Sequence, residues 1–105
     1  MISRTWHGIV PINLKDEFEI YLGETGVRDA TALTGNMGAF VKIIEQQEYA
    51  HFFLCTIWDS TESIIAYAGE GITTAVTYPE DEKYGLISDP IVIHQEVAKV
   101  KNPFI

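Results

Sequence analysis

The chain has 105 residues, which is enough for one folded domain and too few for two. Hydrophobic residues make up 47% of it and charged residues 21%, a balance typical of a folded protein. The net charge of −8 opposes contact with a phosphate backbone, so we predict no nucleic-acid partner. No apolar stretch approaches the ~20 residues of a membrane span, and no secretion signal is recognised at the N-terminus. We therefore expect no membrane association and a cytoplasmic location.

The first predicted element is a strand over residues 2–10, where β-branched and aromatic residues dominate. Pro11 ends it, because proline has no N–H for ladder pairing. Asn13 is then predicted to cap a helix. The apolar stripe of this helix consists of Leu14, Phe18, Tyr21 and Leu22. Two glycines weaken the helix beyond that point, and the sequence leaves residues 27–33 ambiguous.

The middle of the chain predicts a hairpin followed by a second helix. Strands are expected over residues 37–46 and 49–58, joined by a short polar connection. Either Asp59 or Ser60 caps the following helix. Its predicted packing side consists of Ile64, Ile65, Tyr67 and Ala68.

The last third of the chain is predicted to hold a loop and a final strand. Residues 72–76 could add one or two helical turns, and the acidic residues 78–84 are the best candidate for a pocket rim. A strand over residues 91–100 completes a domain spanning 1–100, with a tail at 101–105. The order strand, helix, strand, strand, helix, strand predicts an α+β fold of ferredoxin-like βαββαβ topology with a four-stranded antiparallel sheet.

Apolar side chains occupy both faces of the predicted sheet. On the third strand, Phe53, Cys55 and Ile57 lie on one face, and Phe52, Leu54 and Trp58 lie on the other. Two helices cover only one face of such a sheet, so the other face needs a cover that the chain itself lacks. We predict that a second copy supplies it, in a homodimer with two-fold symmetry.

Several motifs together resemble a known family. They are Arg4-Thr5-Trp6-His7-Gly8 on the first strand, the turn Gly35-Asn36-Met37-Gly38 into the second strand, Trp58-Asp59-Ser60 with Glu62 and Ile65 leading from the third strand into the second helix, and the closing Val92-Ile93-His94-Gln95-Glu96-Val97. Over nearly its whole length the chain resembles the antibiotic biosynthesis monooxygenase (ABM) family of the dimeric α/β-barrel superfamily. The resemblance implies two packed sheets, with one cavity per subunit between sheet and helices.

The resemblance leaves the function open, because fold does not fix function. Some relatives oxidise phenolic polyketide intermediates without metal or flavin, others bind and break down haem, and many have no known activity. The leading expectation is a homodimer that binds a small aromatic or polycyclic ligand, with cofactor-independent monooxygenase activity as a further step and no resident cofactor or metal. The alternatives are a haem- or porphyrin-binding protein and a non-catalytic dimerisation or ligand-sensing module.

Aromatic residues are the predicted ligand contacts. Trp6 and Trp58 lie on strands that are neighbours in this topology, so both rings could hold a planar phenol and exclude water. Packing in the core is the alternative reading of both. The predicted ligand-binding residues are Trp6, Phe40, Trp58, Tyr67 and Tyr78.

Histidines are the predicted catalytic groups. We name His94 and His7, because an imidazole, with an ordinary pKa of about 6.5, can deprotonate a phenol or ligate haem iron. A structural, hydrogen-bonded role is the alternative for each. Alternation places His7 on the opposite side of its strand from Trp6. No histidine pair has metal-ligand spacing, and Cys55 is expected to be a buried, inert thiol.

Overall fold

Two long antiparallel strands form the centre of the sheet in the computed structural model, which describes residues 1–98. They are β1 (Ile2–Pro11) and β3 (Tyr49–Trp58). At one edge β2 (Asn36–Gln46) pairs with β3. On the other side β4 (Ile87–Ser88) and β5 (Ile93–Glu96) both pair with β1, one after the other along its length. The chain is thus an α+β fold with an antiparallel sheet.

One continuous helical run connects β1 to β2. A 3-10 turn (Ile12–Leu14) leads into α1 (Lys15–Leu22), which continues through a π-helical turn (Gly23–Val27) into α2 (Arg28–Thr31). The prediction that Asn13 caps this helix is wrong, because Asn13 lies inside the 3-10 turn and no side chain caps the start of α1. The ambiguous segment therefore belongs largely to the helical run.

The second helical part is α3 (Thr61–Ala68). Ser60 is its N-cap, since the Ser60 Oγ accepts a hydrogen bond from the Ser63 N–H at 3.3 Å. Of the two predicted caps, Asp59 and Ser60, the second is therefore the one observed. Ile65, predicted on the packing side of this helix, is instead 37% exposed.

Two predicted features of the last third are replaced by other structure. Residues 72–76 form no helical turn, and Thr74 pairs with Ile91 in a β-bridge. The last strand consists of β4 and β5, separated by a segment that contains Pro90. Residues 99–105, which include the predicted end of that strand and the predicted tail, lie outside the described residues.

The helices cover one face of the sheet, and the core lies between the helices and that face. Its main cluster consists of Val10, Phe18, Tyr21, Leu22, Ala50, Phe52 and Leu54, and a second cluster of Ala30, Trp58 and Ile64. The predicted division of β3 is confirmed, because its helix-facing residues are those in the core. No helix within residues 1–98 has the length and apolar character needed to cross a membrane.

Candidate ligand cavity

A cavity lies between the helix-facing side of the sheet and the helical layer. Its volume is about 40 Å³, or about 550 Å³ when all the space between the atoms and the open solvent at its mouth are included. The smaller figure is the one comparable with the roughly 300–1,000 Å³ that is usual for small-molecule sites, and it lies well below that range. The walls therefore leave little room, and a molecule larger than a few waters would also fill the open mouth. Among its lining residues are Arg4, Trp6, Gly26, Tyr67, Tyr78 and Asp81.

Trp6 forms the part of the wall that belongs to β1. Its indole Nε1 donates a hydrogen bond to the Ser88 Oγ at 2.7 Å, and its ring lies 6.4 Å from that of Phe18. Gly8 lies two residues further along the same face. A Cβ atom on Gly8 would stand 2.5 Å from the indole ring, which is closer than real contacts allow. Glycine at this position therefore leaves the space that the indole ring occupies.

Residues 76–86, called the strap below, form another wall of the cavity. The Tyr78 hydroxyl donates to the Asp29 carboxylate at 2.8 Å, and the Tyr21 hydroxyl donates to the Asp81 carboxylate at 3.0 Å. The second Asp81 oxygen accepts from the Tyr78 N–H at 2.9 Å. Two phenol–carboxylate hydrogen bonds thus connect the strap to the helical run.

The phenols of the cavity act as donors and not as bases. Burial, together with the hydrogen bond to Asp81, raises the pKa of Tyr21 to about 12. Burial is also the first cause of the raised pKa of Tyr78, and its hydrogen bond to Asp29 adds to the effect. The pKa of Tyr67 is raised by burial as well. All three hydroxyls therefore keep their protons at neutral pH.

Arg4 is the only buried charged residue among residues 1–98, with 4% of its surface exposed. Its Nη1 donates to the Ile72 carbonyl and to the His94 Nε2, the latter at 3.1 Å. Its Nη2 donates to the Thr74 carbonyl at 3.1 Å, and the guanidinium lies 5.8 Å from the centre of the Tyr67 ring. Burial lowers the pKa of Arg4, but a guanidinium keeps its charge at neutral pH.

The contact with Arg4 also affects the protonation of His94. Burial, and then the positive charge of Arg4, lower the pKa of His94. The imidazole is therefore neutral at pH 7, so its Nε2 can accept the proton that Arg4 offers.

The structure brings three of the five predicted ligand-binding aromatics to this cavity. Trp6, Tyr67 and Tyr78 line it. Trp58 is fully buried in the second core cluster, where it stacks on Tyr67 with ring centres 5.7 Å apart. Phe40 lies on the opposite face of the sheet. Trp58 therefore packs in the core, which was the alternative interpretation of this residue.

Neither predicted catalytic histidine lines the cavity. His94 is connected to it through Arg4. His7 lies on the opposite face of the sheet, as the alternation along β1 predicts, and is hydrogen-bonded to Asp89 at 2.8 Å and to His51 at 2.9 Å. Its surroundings match the structural, hydrogen-bonded alternative. Within residues 1–98, no cluster of His, Cys, Asp and Glu side chains could hold a metal ion.

Two charged residues of the cavity, Arg4 and Asp81, were not among the predicted site residues. Arg4 had a usable signal, because it lies two residues from Trp6 on the same strand and so shares its face. Asp81 lies in the acidic segment 78–84 that was predicted to form a pocket rim, but its contacts with Tyr21 and Tyr78 depend on the fold of the strap.

The donors and acceptors of the cavity favour binding over proton transfer. Hydroxyl groups and a guanidinium supply hydrogen-bond donors beside aromatic rings. Asp81 is the only carboxylate among the described lining residues, and both of its oxygens already accept hydrogen bonds from the protein. In comparisons with known proteins, no family model matches the chain, and no curated protein matches it.

Proposed function

We propose that this chain binds a small planar aromatic molecule in the cavity between the sheet and the helical layer. The aromatic lining carries this proposal, because the rings of Trp6, Tyr67 and Tyr78 line the cavity and can contact a flat ring. Trp6 is anchored by Ser88, and Tyr78 by Asp29, so both rings are already held in place before a ligand enters.

We also propose a ferredoxin-like arrangement for the domain. The strand order β2-β3-β1-β4 supports it, with the helical run between β1 and β2 and α3 between β3 and the last strands. In such an arrangement the helices lie on one face, which is where the cavity lies.

We propose that the other face of the sheet is covered by a second copy of the chain. That face carries Ile44, Ile87 and Ile93, each more than half exposed. A second copy packed there would remove these side chains from water.

Binding is tested by calorimetric titration of the protein with 2-naphthol and with its saturated, non-planar counterpart decahydro-2-naphthol. We expect saturable binding of the flat probe and weaker binding of the other. Trp6→Leu should weaken the binding of 2-naphthol by roughly tenfold, because an aromatic contact is lost. Ile20→Ala, on the exposed side of α1, is the matched control and should leave it unchanged. Equal affinity for both probes, or no saturable binding, would overturn the proposal.

Cofactor-independent oxygenation is a narrower proposal on the same site. In such a reaction an anthrone and O₂ give the quinone and water, after a base removes a proton from the substrate. This proposal has less support than binding, because the neutral His94 does not line the cavity and its Nε2 already accepts a hydrogen bond from Arg4. Identical products from aerobic and anaerobic incubations with an anthrone would rule it out.

Haem binding is the competing proposal. It has less geometric support, because neither His94 nor His7 lines the cavity. A Soret-band titration tests it, and a band that is lost in His94→Ala would favour haem over the aromatic ligand.

A further inference from the structure

The positive charge of Arg4 has no carboxylate partner within residues 1–98. The contacts of its guanidinium are the carbonyls of Ile72 and Thr74 and the neutral imidazole of His94. The remaining residues, 99–105, contain no Asp or Glu. Buried charges in proteins are ordinarily paired with an opposite charge, because the low dielectric makes an unpaired charge costly. The structure therefore has a buried cation to which an anion from outside the chain is suited.

The unused donors of Arg4 are of the kind that binds a carboxylate. A guanidinium has five N–H groups, and the described contacts engage two on Nη1 and one on Nη2. The Nε–H and the second N–H of Nη2 remain. These two N–H groups can lie along one edge of the guanidinium, where they match the two oxygens of a carboxylate in a bidentate pair.

Arg4 stands beside the aromatic walls that would hold a ring. It lies two residues from Trp6 on the same face of β1, and its guanidinium lies over the Tyr67 ring. Asp81 is also among the lining residues, but its oxygens are hydrogen-bonded to Tyr21 and Tyr78, and it forms no ion pair with Arg4. Its negative charge disfavours a second anionic group on the ligand.

We propose that the ligand of this cavity is a planar aromatic monocarboxylate and that Arg4 determines this specificity. The inference rests on the proposed binding of an aromatic molecule and adds the charge and the number of its acidic groups. The rings of Trp6 and Tyr78 would contact the aromatic part, and the free edge of the guanidinium would bind the carboxylate.

The test compares 2-naphthoate with 2-naphthamide, which has the same ring system and no charge. By calorimetry, we expect the wild-type protein to bind naphthoate about tenfold more tightly than naphthamide or better, since a hydrogen bond from a guanidinium to a carboxylate is stronger than one to a neutral amide. Arg4→Gln should bring the ratio of the two affinities close to one while it retains binding of the amide. Arg28→Gln removes the same charge from an exposed arginine and should keep the wild-type ratio.

The two probes separate the failure of this inference from the failure of the proposed function. Equal affinity of the wild-type protein for both probes would overturn the carboxylate specificity and leave aromatic binding intact. Binding of neither probe would overturn both. If Arg4 were only structural, Arg4→Gln would lower the affinity for both probes alike and leave the ratio of the two affinities unchanged.

The wild-type comparison decides the question even if Arg4→Gln does not fold. Arg4→Lys supplies a second variant, because it keeps the charge and loses the paired N–H groups. In Arg4→Lys the ratio of the affinities for naphthoate and naphthamide should lie between the ratios of the wild type and Arg4→Gln. If Arg4→Lys kept the wild-type ratio, the paired N–H groups of the guanidinium would not be used in binding.

Discussion

Single residues determine whether the cavity can exist, and Gly8 is the clearest case. A Cβ atom there would stand 2.5 Å from the Trp6 ring and 2.9 Å from the Leu86 side chain. The indole cannot simply move away, because its Nε1 is hydrogen-bonded to Ser88. We expect Gly8→Ala to lower the free energy of unfolding by roughly 1–3 kcal/mol, the usual cost of overpacking. Urea unfolding of the variant and the wild type measures this difference.

A second glycine provides the control for this measurement. Gly23 is exposed, has ordinary right-handed helical angles, and a Cβ atom there would meet nothing within 4 Å. Gly23→Ala should therefore raise the free energy of unfolding by about 0.5–1 kcal/mol, since alanine loses less backbone entropy in a helix. An unchanged stability of Gly8→Ala would contradict the position given to the Trp6 ring.

At the level of elements, the strap depends on phenols that must keep their protons. Burial and Asp81 raise the pKa of Tyr21 from its usual 10 to about 12. The unfolded phenol thus ionises near pH 10, while the folded one keeps its proton until about pH 12. The stabilisation is therefore fully present below pH 10 and is lost as the pH rises from 10 to 12. Urea unfolding across this range should show a falling free energy of unfolding.

Tyr21→Phe should make the fall in the free energy of unfolding between pH 10 and 12 shallower. At neutral pH it should lower the free energy of unfolding by about 0.5–1.5 kcal/mol, the net contribution of one hydrogen bond. Part of the fall should remain, because the pKa of Tyr78 is raised in the same direction. Tyr49→Phe is the control, since Tyr49 lies at the start of β3 and away from the lining residues. A slope as steep in Tyr21→Phe as in Tyr49→Phe would count against the contact with Asp81.

The strands show what a sequence can predict and what it cannot. Alternation assigned the two faces of β3 correctly, because side chains in a strand point to opposite sides in turn. It could not show where along the sheet two residues meet. Trp58 pairs with Ile2, and Trp6 pairs with Leu54, four residues away along β3. At about 3.3 Å per residue this separates the two tryptophan positions by roughly 13 Å, so they belong to different clusters.

Other predictions failed because they depend on long-range pairing. The face of Phe40 follows from the register of β2 against β3, which shifts between Asn36 and Gly38. Local composition allowed a helical turn near Thr74, but its β-bridge to Ile91 fixes another conformation. The break in the last strand has the same origin, since each short piece matches a different part of β1.

At the level of the whole molecule, the two faces of the sheet are in unequal environments. The helices and the strap cover one face, and no described part of the chain covers the isoleucines of the other. Apolar patches of this kind on folded proteins mark sites of association. We therefore expect light scattering at micromolar concentration to give the mass of a dimer, as the proposed second copy requires.

Paired substitutions distinguish a specific interface from nonspecific association. Ile93 is 61% exposed on the uncovered face, and Ile20 is 64% exposed on α1, so the two start from similar exposure. Ile93→Glu would bury an unpaired carboxylate in the proposed interface, a cost large enough to shift the protein towards the monomer. Ile20→Glu adds the same charge on the helical side and should leave the dimer intact. A stable wild-type monomer, or equal behaviour of the two variants, would contradict an interface on the sheet face.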